Sequence, residues 1–130
     1  NILPLPSFYM ELPKILLFSF GPSWIKLESE KYGTSYEVIM DSQNPLEIGS
    51  DWFYSTLRAG NANNLYFIIN GAGFGPLGDK SVIKNVEVSE INAVGTFQYN
   101  SEVTALYKKN FDSETKTKTN DKMISVNESN

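Results

Sequence analysis

The stretch Asn70 to Asp79, NGAGFGPLGD, holds the residue types best suited to an anion, with four glycines and a proline between two apolar runs. A glycine loop cradles phosphate when it opens a helix, because the first free N–H groups of the helix and its dipole supply the positive potential. The residues that follow, Lys80 to Ile91, are rich in Val and Ile and poor in strong helix formers, which predicts a strand. The loop is therefore read as a hairpin connection and not as a nucleotide site. A second candidate is the carboxylate pair Glu28 and Glu30, two apart on one strand face. Paired carboxylates can cleave a glycosidic bond, but here they read more simply as a solvated edge. The chain has no cysteine and no histidine, which removes thiolate nucleophiles, imidazole bases, disulfides and the usual zinc ligands. No enzyme, cofactor or metal site is expected.

The charge excludes another class. A net charge of −4 and a pI near 4.8 disfavour nucleic acid or an anionic lipid surface, and the only adjacent lysines are Lys108 and Lys109. The run Ile15-Leu16-Leu17-Phe18 is too short to span a bilayer. A chain that opens on Asn1 instead of Met is expected to have lost a segment upstream, such as a signal peptide or a membrane anchor.

The elements that must position any site read as antiparallel strands. With 130 residues, 41% of them hydrophobic and 13% aromatic, the chain has the apolar mass for one domain with its own core. Period-two or apolar runs separated by turn residues predict strands over 14–20, 24–30, 34–41, 52–58, 65–70, 80–91, 96–99 and 102–111, with a last short one at 122–126. One turn of helix is allowed over Pro45 to Phe53, with Asn44 as cap. Residues 1–13 are expected to be an extended arm, 14–126 the single β domain, 112–121 an exposed connection within it and 127–130 a frayed end. About eight or nine nearly consecutive strands favour an up-and-down barrel over a sandwich. Small or polar residues such as Ser55 and Ala105 among bulky aromatics suggest an interior cavity.

The order of the segments SWIKLESE, LYFIINGAGFGPLGDKSVIKNVEVSEI and GTFQYNSEVTALYKKNFDSE resembles the VtrC-like periplasmic partners of membrane-embedded transcription regulators, the ToxS, FidL and VtrC group. The resemblance runs over Trp24 to Asp112 and rests on strand order and the FIINGxG segment. It implies an all-β, antiparallel, lipocalin-like (calycin-type) barrel that is incomplete alone and is completed by strands of the regulator in a heterodimer. It also implies a joint chamber that takes up bile salts and so controls virulence gene expression, in the periplasm and beside the inner membrane. No ligand residue of the group can be carried over.

Candidate ligand contacts are therefore taken from strand faces. Met40, Phe53, Phe67, Ile69, Phe97 and Tyr99 would form an apolar wall, with Met40 able to adapt its shape and Tyr99 able to donate one hydrogen bond. Ser55 is the polar group on an inner face. Asn70 and Arg58 have the wrong parity and reach inward only at a strand end. Phe74 would close over the barrel mouth or stay at a contact surface. The β-branched residues of 80–91 and 102–111 make those segments the candidate edges for strand addition. Two other binding readings stay open: a monomeric lipocalin or fatty-acid-binding-like carrier, although Gly21-Pro22-Ser23-Trp24 has the wrong spacing for a lipocalin G-x-W start, and a secretion-system docking lipoprotein of sandwich type.

Overall fold

The computed structural model describes residues 11–42 and 44–112. The expected strand at 122–126, the frayed end and most of the arm lie outside them. The described residues are mostly β: nine strands in two antiparallel sheets, with two short helices. In chain order the strands are β1 (Ile15–Ser19), β2 (Ser23–Ser29), β3 (Thr34–Met40), β4 (Leu46–Ile48), β5 (Thr56–Ala59), β6 (Leu65–Ile69), β7 (Ala72–Phe74), β8 (Ile83–Glu87) and β9 (Tyr99–Asn100). One sheet runs β4-β1-β6-β7-β9 and the other β3-β2-β5-β8. Among the described residues no ladder joins the two sheets and no closed barrel forms; the sheets share one buried cluster.

Burial explains which sequence patterns became which strands. On β2 the residues alternate, Ser23, Ile25, Leu27 and Ser29 buried against Trp24, Lys26 and Glu28 turned out, as a half-covered sheet demands. The strands β1 and β6 are buried at every position, which is why ILLF and LYFII read as unbroken apolar runs. One face of this pair joins the core between the sheets, where Ile15, Leu17, Leu65, Phe67 and Ile69 meet Ile25, Leu27, Leu57 and Ala59. The other face, Leu16, Phe18, Tyr66 and Ile68, is covered by Val103 and Tyr107 of helix α2 (Ser101–Tyr107).

That helix corrects the strand expected at 102–111. Its start is fixed by Asn100, whose side chain accepts from the Val103 N–H at 2.8 Å, and Val103, Leu106 and Tyr107 recur at helical spacing on the packed face. Ala105, expected inside a barrel, is exposed on the outer side. The segment 80–91 also divides. After β8 the Ser89 hydroxyl accepts from the Asn92 N–H at 3.1 Å and caps helix α1 (Glu90–Thr96), which also takes the first residue of the strand expected at 96–99. Over 45–53 the chain forms β4 and then a 3₁₀ turn, Ser50–Trp52; β4 pairs with β1, Ile48 opposite Ile15.

The glycine loop resolves into parts. Asn70 and Gly71, with φ of 50° and 91°, are the two left-handed residues of a tight turn that aligns Ile69 with Ala72. Gly73 lies under α2, and a Cβ there would stand 2.6 Å from Val103 Cγ1. The Gly73 N–H donates to Thr104 Oγ1 at 2.8 Å. No helix follows the loop directly, since the next element is β8.

Candidate functional site

Met40, Phe67 and Ile69 come together in the buried cluster between the sheets, and Phe53, Phe74 and Phe97 pack half-buried against it. The rings of Phe67 and Phe97 are 5.9 Å apart. Tyr99 sits exposed on the edge strand β9, in edge-to-face contact with Phe74 at 5.8 Å. Asn70 does not reach this group: its side chain accepts from the Lys14 N–H at 2.9 Å and holds the turn. Arg58 faces outward opposite Lys26. Ser55 is buried, and its hydroxyl has no hydrogen-bond partner among the described residues.

One concave surface lies where the chain passes from β4 to β5. The 3₁₀ turn closes with the Trp52 N–H donating to the Gly49 carbonyl at 2.9 Å and the Phe53 N–H to the Ser50 carbonyl at 3.1 Å. The next residue, Tyr54, has a φ of 69°, a conformation costly for a bulky side chain and one that persists only where the surroundings enforce it. Here they do. The Tyr54 N–H donates to the Val88 carbonyl at 2.7 Å, and the Val88 N–H returns to the Ser55 carbonyl at 3.0 Å. The ring gains little burial from this, since it remains 71% exposed; the backbone presents it to solvent.

Around it lies a groove of about 700 Å³, walled by Leu12, Phe53, Tyr54 and the β2–β3 turn Glu30–Tyr32, with Ser29, Ser50 and Asp51 completing the lining. A smaller hollow of about 170 Å³ shares Leu12, Phe53 and Tyr54 and extends to Pro13, Ile15, Ser89, Glu90 and Ile91. Leu12, Tyr32, Tyr54 and Ile91 are each more than half exposed, and such large apolar side chains gathered at one place mark a contact surface. The ammonium of Lys31 stands 5.2 Å from the centre of the Tyr32 ring, the one cation on this lining. The surface thus offers a rigid apolar body aromatic and aliphatic contacts, with one amine, the carboxylates of Glu30 and Asp51 and several hydroxyls around it.

A second groove, of about 490 Å³, lies on the other side of the 3₁₀ turn and shares Ser50 and Asp51 with the first. Its lining is Leu27, Tyr36, Trp52 and the segment Leu46–Asp51. The two groups with displaced titration lie away from both. Burial, with Glu102 adding to it, raises the Tyr66 phenol, and the Ser81 hydroxyl and N–H hold the Asp79 carboxyl low.

Of the residues chosen from strand faces, only Phe53 lines these grooves. Tyr54, Tyr32 and Leu12 were missed. A usable signal was Trp52-Phe53-Tyr54: three consecutive aromatics cannot share one face of a strand, so at least one of them lies off the inner face from which the other candidates were taken. No protein-family model, curated protein or solved structure matches the chain.

Proposed function

We propose that the protein is a non-enzymatic sensor subunit that binds a rigid, anionic amphipath of the bile-salt class in the Phe53–Tyr54 groove and pairs with the periplasmic domain of a membrane-embedded transcription regulator. The observation that carries the ligand is the exposed apolar set Leu12, Tyr32, Tyr54 and Ile91 around a groove whose volume is within the range of about 300–1,000 Å³ typical of small-molecule sites. The steroid face lies on Phe53 and Tyr54, its hydroxyls reach Ser29, Ser50 or the tyrosines, and its acidic tail points to Lys31 and solvent.

In this reading the lipocalin-like barrel exists only in the heterodimer, with the regulator's strands spanning the two sheets. What supports it is the pair of uncovered edges on the smaller sheet. Of these, β8 is interrupted by a register shift opposite Leu57 and Ala59, and Asn85 within it has a φ of 58°; such irregularity guards an edge against pairing. The seven residues of β3 pair with β2 in unbroken register and have no partner strand on their outer side among the described residues, so β3 is the edge that would accept a strand. The other edge named from sequence, 102–111, is helical.

The test is titration with deoxycholate below its micellar concentration, read by calorimetry and by thermal unfolding. Saturable binding that raises the melting temperature by mass action and weakens at least tenfold in Tyr54→Ala is expected. Absence of saturable binding, or equal binding by Tyr54→Ala, would overturn the ligand assignment.

A further inference from the structure

The second groove has a different chemistry. Its floor is apolar, Leu27 and Ile48 both buried. Two aromatic rings meet across it, Tyr36 of β3 and Trp52 of the 3₁₀ turn, with centroids 6.4 Å apart and planes inclined by 54°. The carboxylates of Glu47 and Asp51 also line it, and neither forms an ion pair among the described residues. No lysine or arginine lines the groove. Inclined aromatic faces, unneutralised carboxylates and an apolar floor in one concavity of about 490 Å³ are what a desolvated organic cation needs. The ring quadrupoles attract the positive head, the carboxylates compensate its charge, and the floor takes up its alkyl body.

We infer that this groove is a second ligand site, for a small organic cation with an ammonium or quaternary ammonium head and a short apolar tail. The head lies between Tyr36 and Trp52 beside Asp51 and Glu47, and the tail runs over Leu27 and Ile48. The two grooves differ in their cations: both carry carboxylates and share Asp51, but Lys31 lines only the first, so this groove has nothing to receive an anionic head. The site does not depend on the bile-salt reading, because Tyr36 and Glu47 do not line the other groove.

The chain carries two tryptophans, and Trp24 is on the outer sheet face, donating to Glu37 Oε2 at 2.6 Å. Trp24→Phe therefore leaves Trp52 as a single fluorophore inside the proposed site. In that background, titration with hexyltrimethylammonium, hexanol and hexanesulfonate presents one tail with three head groups. A saturable change in Trp52 emission with the cation is expected, at least tenfold tighter than with hexanol and absent with the sulfonate. Added salt should weaken it, since exposed charge pairs are screened. Tyr36→Leu should cost about tenfold in affinity, the scale of one cation–π contact, and Asp51→Asn should weaken the cation while leaving hexanol unchanged. Asp51 is exposed, so this variant keeps the test valid even where Tyr36→Leu fails to fold. Equal affinity for hexanol, binding of the sulfonate, no Trp52 response, or a cation affinity unmoved by Asp51→Asn would each overturn the assignment. Tyr36→Leu leaves deoxycholate binding at Tyr54 as a separate readout, because Tyr36 does not line that groove.

Discussion

Replacing Gly73 with alanine tests the packing of α2 on the larger sheet. The new Cβ would stand 2.6 Å from Val103 Cγ1, 3.0 Å from Val103 Cβ and 3.4 Å from the Thr104 backbone nitrogen, the first closer than side-chain carbons come and the second tighter than most. Val103 is 1% exposed and β-branched within a helix, where one χ1 rotamer is strongly preferred, so it cannot swing clear. The helix itself must shift, which also stretches the 2.8 Å hydrogen bond from the Gly73 N–H to Thr104 Oγ1. Overpacking of this kind costs about 1–3 kcal/mol, and we expect the upper half of that range because a hydrogen bond weakens with it. Urea unfolding followed by circular dichroism measures the loss. The deciding variant is the double one: Val103→Ala alone costs about 1–2 kcal/mol for the methyl groups removed, but in Gly73→Ala/Val103→Ala the alanine at 73 enters the space vacated. The double mutant should be less destabilised than the sum of the singles by at least about 1 kcal/mol, a coupling expected only of residues in contact. Additive losses, or a Gly73→Ala change within about 0.5 kcal/mol, the range of an unremarkable surface substitution, would refute the close approach.

Three other residues give measurable outcomes. Gly71→Ala, at a φ of 91° with nothing within 4 Å, should cost about 1 kcal/mol through backbone strain alone, and adding Val103→Ala should not relieve it. Ser55→Ala should be neutral or stabilising by up to about 1 kcal/mol in thermal or urea unfolding, because the hydroxyl is buried without a partner among the described residues and its removal ends a desolvation cost. Burial raises the Tyr66 phenol above its ordinary value of 10.0, with Glu102 adding to the shift. The folded state therefore keeps this proton after the unfolded chain has lost it. The stabilisation is complete below pH 10.0 and is lost as pH rises through the higher folded value; Tyr66→Phe should flatten this alkaline decline in unfolding free energy.

The first half of the chain was legible and much of the second was not, for reasons visible in single residues. The turn after β2 ends at Gly33 with a φ of 65°, and the alternation of Ile25, Leu27 and Tyr36, Val38, Met40 fixed the strands on either side of it. Past Phe74 the cues were side-chain caps. Ser89 and Asn100 each accept one N–H and start a seven-residue helix, but Val88, Ile91, Val94 and Val103 carry β propensity that outweighs a single capping residue when read along the chain. The spacing of Val103, Leu106 and Tyr107 was the available signal for α2. The all-β, antiparallel class was legible in the alternating runs, but the run of strands along the chain does not reveal that they divide between two sheets or that β1 and β6 are buried on both faces. The candidate site was least legible: grooves between a 3₁₀ turn and a β-turn depend on the left-handed backbone of Tyr54, which no residue-type preference announces.

The double covering of β1 and β6 also sets an order on assembly. Leu16 and Phe18 are met by Tyr66 and Ile68 at an intermediate stage of synthesis, but the face they share stays uncovered until Val103 and Tyr107 arrive near the end of the described chain. Until then a nascent or truncated chain would display an aromatic and aliphatic sheet face beside partly paired strands, the kind of surface that associates with itself. A fragment ending before Asn100 should therefore be recovered as aggregate even though most of its strands are present. Supplying α2 in trans, as a peptide spanning residues 98–112, should restore solubility by capping that face.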